Sequence, residues 1–368
     1  MKKRLKIASW ILVGALLLPL FQQITGLAHE RKLRGAVRIA EMPSLSGQGW
    51  FEGTLQDSLE TGLKDRFGFR NFFIRVNNQV AFSFYRKALA NGVVIGKKNY
   101  LYESNYIHAR NGSDYLGDSL ILSNARKLKN VQDSLERRGA HFVVTFAAGK
   151  GSFYPEYFPD EYQMEPGKTN IQAYSECFDS LGVSYIDFNK WFVQMKDSSS
   201  YNLYPRTGVH WSYYGMAVVI DSLVNYLEEV TGREMTDFRL GEVELSRNYR
   251  SSDRDIEEGM NILFRINYDQ MAYPRIYIDD EGIDKPKGIV IADSFYWGLH
   301  NMGFSHRILR DGEFWYYNQE IYSVNPGGVV PMSEVDPHAR LDSAEVVLMM
   351  ATEATIMKFP FGFEDVFP

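Results

Sequence analysis

Three short apolar runs constrain this chain more than any other feature: "HFVVTFA" at 141–147, "KGIVIAD" at 287–293 and "AEVVLMMATEA" at 344–354. Each is rich in strand-forming residues, too short for a buried helix, and stops at small or polar residues. Between them lie segments with helical spacing, 118–138, 169–181 and 212–230, the last followed by Gly232 as a helix cap. A further strand is expected at "VSYIDF", 183–188. Apolar strands that alternate with helices predict an α/β fold, a mostly parallel sheet with helices on both faces.

The N-terminus reads "MKKRLK" and then an apolar run from Ile7 to Phe21, broken only by Ser9, Gly14 and Pro19. A basic flank before such a run is an export signal. Residues 1–28 are therefore expected to be a signal anchor or signal peptide, with the body outside the cytoplasm and held at the inner membrane. Residues 29–50 read as a polar tether. Residues 51–105 carry a long amphipathic helix, Phe69 to Leu89, and a hairpin around Gly96-Lys97-Lys98-Asn99. Both are expected to pack on a main domain over 106–368. The 46 acidic against 40 basic residues give a net charge of −6, which argues against nucleic-acid binding. Cys177 is the single cysteine, so no intramolecular disulfide can form.

The run Ile289–Ala292 stops at Asp293-Ser294. A helix cap explains that pair by itself. A nucleophile explains it too, because ligands of parallel sheets gather at the carboxyl ends of strands, where the next helix offers N–H donors. A nucleophilic serine needs a base. His210, in "RTGVHWSYYGM", stands in a loop before the 212–230 helix with Ser212 as N-cap. A Ser–His pair activates the hydroxyl by removing its proton, although a lone His at a helix entry also serves as an ordinary hydrogen-bonder.

Taken in order, "FEG", "DRFGFRN" (65–71), "IGKKNYLYE" (95–103), "GKGSFYPEYFP" (149–159), "HWSYYGM" (210–216) and "ADSF" (292–295) resemble the SGNH-hydrolase-like domain of alginate O-acetyltransferases of the AlgJ/AlgX type. The resemblance spans roughly residues 50–360. It implies a flavodoxin-like SGNH sheet, with Ser294 as nucleophile and His210 as base. It further implies acetyl transfer to an exported polysaccharide, acetyl groups supplied by a membrane-bound O-acyltransferase, and no metal or diffusible cofactor. The family pattern Asp-x-His-Trp is broken, because Gly208 holds the place of the acid. Asp187 and Asp293 are the expected substitutes, with a backbone carbonyl as the alternative partner of the ring. An aspartate introduced at 208 is expected to raise activity.

Lys150, in "AGKGS", and Tyr317, Asn318 and Trp211 are candidate substrate contacts, with turn or core roles as the plain alternatives. Tyr316 and Glu353 are weaker candidates, and Arg66 and Arg70 are expected to pin the long helix. If water replaced the sugar hydroxyl, the same pair would make a carbohydrate acetylesterase. A degenerate site would leave a non-catalytic glycan-binding or scaffold subunit.

Overall fold

The computed structural model describes residues 2–35, 38–44, 47–250, 252–266, 269–323 and 328–367. Positions 36–37 and 45–46 of the expected tether lie outside the described residues. The chain forms two compact units, Met1–Asn91 with Glu257–Arg265, and Gly92–Ile256 with Ile266–Pro368. The boundary at Asn91 assigns the hairpin to the unit that holds the sheet, not to the helices before it.

The first unit holds α1 (Lys2–Thr25), α2 (Gly47–Glu52), α3 (Thr54–Arg66) and α4 (Arg70–Tyr85). Among the described residues, α1 is the one helix long and apolar enough to cross a membrane. It is longer than the Ile7–Phe21 run because the basic flank continues the same helix. α3 and α4 break at Phe67-Gly68-Phe69, where Phe69 takes a left-handed φ of 59°. An Arg70–Asp65 ion pair at 2.7 Å closes that corner.

The second unit opens with β1 (Val93–Ile95) and β2 (Leu101–Glu103), an antiparallel pair. α5 (Ser104–Asn111) and α6 (Asp118–Glu136) lead to β3 (His141–Ala147), followed by α7 (Lys150–Phe153), α8 (Asn170–Leu181), β4 (Tyr185–Asp187) and α9 (Phe188–Met195). Then come α10 (Tyr213–Thr231), β5 (Asp237–Ser246), α11 (Asp255–Met260), whose residues from Glu257 belong to the first unit, and β6 (Met271–Asp279). β7 (Lys287–Ala292), α12 (Tyr296–Asn301), β8 (Arg310–Tyr316), β9 (Glu320–Ser323), β10 (Gly328–Pro331), α13 (Pro337–Leu341) and β11 (Val346–Thr352) complete the chain.

Among the described residues, seven strands form one sheet in the order β10-β9-β8-β7-β11-β3-β4. From β8 to β4 every pairing is parallel, while β9 and β10 add an antiparallel edge. Val346–Thr352 is buried throughout, which is why its sequence shows no alternation. α6 turns Ile121, Ala125, Leu128, Val131 and Leu135 inward at three- and four-residue spacing, onto Phe142 and Val144 of β3. β5 and β6 form a separate antiparallel ribbon.

Two helix entries set up the site. Ser212 caps α10 by accepting from the Gly215 N–H at 2.9 Å, so α10 starts immediately after His210-Trp211. β7 ends at Ala292, so Ser294 stands at the carboxyl edge of the sheet, beside the end of β11.

Candidate active site

The turn after β7 is held by the carboxylate of Asp293, which is fully buried. Its Oδ1 accepts from the Phe295 N–H at 2.9 Å. Its Oδ2 accepts from the Thr352 N–H at 2.8 Å and from the Thr355 hydroxyl at 2.5 Å. A carboxylate so engaged is a bracket that joins the turn to β11, and it leaves Ser294 half-buried with its hydroxyl turned to His210. The Ser294 Oγ and His210 Nε2 are 3.3 Å apart.

The far ring nitrogen meets a carboxylate that the sequence did not single out. His210 Nδ1 donates to Asp255 Oδ2 at 2.5 Å. Asp255 Oδ1 accepts from the Val209 N–H at 2.8 Å and the Ile256 N–H at 2.7 Å, so both oxygens are fixed and the imidazole orientation with them. A proton on Nδ1 leaves the Nε2 lone pair for the serine. Burial by itself disfavours the imidazolium. The charge and hydrogen bond of Asp255, with Asp293 and Glu103 further off, outweigh it and raise the pKa of His210.

Asp255 replaces the absent acid because the main chain crowds position 208. A Cβ on Gly208 would lie 2.3 Å from the Ser252 carbonyl oxygen and 2.9 Å from that of Asp253. The 252–255 backbone thus passes where a side chain at 208 would begin. This corrects the expectation that Asp187 serves the ring. Asp187 caps α9, accepting from the Lys190 N–H at 2.8 Å, and it lines a cavity of about 830 Å³ to which neither Ser294 nor His210 contributes.

Lys150 is a second correction. Its side chain is fully buried, so it cannot meet a polysaccharide. Its Nζ donates to the carbonyls of Arg206 at 2.8 Å and Gly208 at 2.6 Å. Burial pushes its pKa down to about 7 against the pull of Asp255. The Leu101 N–H donates to the same Arg206 carbonyl at 2.9 Å. Lys150 and β2 together fix the loop that carries His210.

Trp211 is also fully buried, 5.4 Å from the Phe295 ring, and is core, not a sugar platform. Asn318 donates its amide to the Phe361 carbonyl at 3.3 Å and is a structural tie. Tyr317 lies close to the site: burial followed by the charge of Asp293 raises its pKa, and the Ser294 backbone N–H acts in the opposite sense. The Lys358 ammonium lies 5.6 Å from the centre of its ring. Glu353 is buried and accepts from the Ser152 N–H at 3.1 Å and from the Ser152 hydroxyl. Arg66 donates to the Ala40 carbonyl at 2.7 Å, a bond within the first unit.

Glu103, the last residue of "IGKKNYLYE", lies close enough to the site to act on its charges. It ends β2, and its carboxyl pKa is raised first by burial and then by Asp255, while His210 acts in the opposite sense.

Comparison with known proteins sets this geometry in context. Residues 93–252 match the family model described as "SGNH hydrolase-like domain, acetyltransferase AlgX". A Pseudomonas aeruginosa protein named "Probable alginate O-acetylase AlgJ" is 27% identical over 132 residues, 36% of this chain and 32% of the relative. The match therefore spans about a third of that relative's length. The solved O-acetyltransferase domain of Pseudomonas putida AlgJ is 15% identical with a TM-score of 0.47, covering 72% of this chain and 92% of that one. The Pseudomonas aeruginosa AlgX structure is 14% identical with a TM-score of 0.48, covering 74% and 67%.

Proposed function

We propose, on the premise that this chain belongs to the AlgJ/AlgX-type SGNH-hydrolase-like family, that it is an O-acetyltransferase that modifies an exported polysaccharide through an acetyl-serine. The observation that carries the reading is the line Ser294–His210–Asp255, with separations of 3.3 Å and 2.5 Å. A hydroxyl, a base and a carboxylate in hydrogen-bonded sequence are what serine acyl transfer uses.

In the first half-reaction His210 Nε2 takes the Ser294 proton as Oγ attacks the acetyl carbonyl. The new imidazolium is stabilised by Asp255. The oxyanion takes a hydrogen bond from the Ser294 N–H. The tetrahedral intermediate collapses as the donor's leaving oxygen takes the proton from His210. In the second half His210 removes a proton from a sugar hydroxyl, that oxygen attacks the acetyl-serine, and the proton returns to Ser294. Acetyl groups come from a membrane-bound O-acyltransferase. α1 anchors the chain with its body outside the cytoplasm, since 24 helical residues reach about 36 Å at about 1.5 Å per residue, enough for a hydrocarbon core of about 30 Å.

The test is to trap the acyl-enzyme. Incubation with an activated acetyl ester should add one acetyl group, mapped by peptide mass spectrometry to Ser294, and a polysaccharide acceptor should discharge it faster than water does. Ser294→Ala should take up none. An unlabelled wild-type Ser294 refutes the mechanism, and discharge that no acceptor accelerates makes the protein an esterase.

A further inference from the structure

α4 turns a polar set of side chains to the protein and leaves several large apolar ones exposed, although Ile74 and Phe82 are half-buried and Asn77 and Ser83 are exposed. Arg75 Nη2 donates to the Lys32 carbonyl at 2.9 Å, and Asn78 donates to the Met260 carbonyl at 2.8 Å. Gln79 Oε1 accepts from the N–H groups of Leu263 and Phe264 at 3.1 and 2.9 Å. These residues, spaced at three and four, form one face. The opposite face carries Phe73, Val80 and Phe84, with exposures of 49%, 43% and 78%, and Phe72 at 48% flanks it beside Gln79. Phe67 and Phe264 extend the same apolar character at 49% and 71%. In water a helix of this size turns its apolar stripe inward. An apolar surface with this many adjacent rings marks an interaction site.

α1 identifies the occupant. A Cβ on Gly68 would lie 1.9 Å from the Pro19 carbonyl oxygen and 3.0 Å from the Gln23 N–H nitrogen, so the corner before α4 is in direct contact with α1. Pro19 lies six residues before the end of α1 at Thr25, or about 9 Å along its axis at about 1.5 Å per residue. Pro19 is also two residues, or about 3 Å at about 1.5 Å per residue, inside the apolar run that ends at Phe21, so a corner seated there is just below the end of the span. An apolar cavity of about 630 Å³, lined in part by Leu18, Pro19, Phe69, Phe72 and Phe73, opens between the two helices. The polar groups of the corner are satisfied within the unit, Arg70 by Asp65 and Arg66 by the Ala40 carbonyl. Arg31, Lys32 and Arg34 are exposed just beyond α1, where they suit anionic headgroups.

We infer that the outward stripe of α4 lies in the interface of the lipid bilayer, with Phe67, Phe72 and Phe73 reaching acyl-chain depth beside α1. The inference rests on the reading of α1 as a membrane anchor. It assigns the first unit a second, in-plane hold on the membrane in addition to the span, as interfacial helices provide.

The test uses the full chain with Cys177→Ser, reconstituted in vesicles of phosphatidylethanolamine and phosphatidylglycerol. A fluorescent label is placed by Leu17→Cys in the anchor, or by Phe73→Cys or Phe84→Cys on the stripe. Chain-brominated lipid should quench the label at 73 to at least half the extent seen at 17, and aqueous iodide should quench 73 and 84 several-fold less than free dye. Quenching at 17 with 73 open to iodide overturns the inference and leaves the anchor standing. Quenching at 17 with 73 shielded from both agents overturns it in favour of a second copy covering the face. Loss of lipid quenching at every site overturns the anchor reading, and this inference with it.

Discussion

Asp255→Asn separates the charge of the acid from its shape. The amide keeps an oxygen for the Val209 and Ile256 N–H groups, which the carboxylate holds at 2.8 and 2.7 Å, so the loop stays in place. What is lost is the negative charge beside Nδ1. For charges about 4 Å apart at an effective dielectric of about 20, that attraction is about 4 kcal/mol, and about 1 kcal/mol in the limit of bulk water. The side chains of His210 and Asp255 are 21% and 29% exposed, so the value lies between those limits. At about 1.4 kcal/mol per decade the turnover number should fall by roughly 10 to 10³, and by more if the wrong ring tautomer is adopted, as the roughly 10⁴ loss in serine proteases shows. The assay is acetyl release from an activated ester across a pH series. In the proposed mechanism the neutral imidazole is the base, so activity should rise as pH passes the pKa of His210. Asp255 raises that pKa, hence the acid limb of the mutant should move to lower pH while KM stays near the wild-type value. An unchanged rate with an unmoved limb would show that Asp255 plays no part in the reaction.

Two further outcomes follow from the packing. Gly208→Asp should lower activity and melting temperature, because its Cβ would meet the Ser252 carbonyl at 2.3 Å; a gain on the same ester would contradict the crowding argument. Glu353 has a pKa raised to about 7 by burial, so it stabilises the fold fully below the unfolded value of 4.5 and that contribution is lost as pH rises through about 7. Glu353→Gln should flatten the fall in melting temperature over that window, measured by calorimetry, and an unaltered slope would place the effect elsewhere.

Much of this architecture is legible in the sequence. Apolar runs such as Ile289–Ala292 can only be buried strands, and Ser212 and Gly232 mark both ends of α10, so the places of Ser294 and His210 at element ends could be read from pattern. Asp255 could not. It lies in "SSDRDIEEGM", where polar residues crowd together and nothing local tells which one turns inward. Lys150, flanked by glycines, reads as an exposed loop cation. It is buried because two carbonyls of the His210 loop converge on it, a fact of tertiary geometry. The periodicity of α4 shows a stripe but not which side meets protein, and here the polar side does.

The order of the sheet also sets when the turn that carries Ser294 can be held. β11 follows the other described strands of this sheet in the chain yet lies between β7 and β3, pairing Val346 with Gly288 on one side and with His141 on the other. Until it arrives, the two strands it joins have no common neighbour, and the Asp293 carboxylate lacks the Thr352 N–H that pins the nucleophile's turn. A chain emerging from its N-terminus therefore carries both Ser294 and His210 well before it can hold them in register. Parallel pairings over such separations form slowly. A chain truncated before Val346 should therefore leave the Ser294 turn without its Thr352 partner.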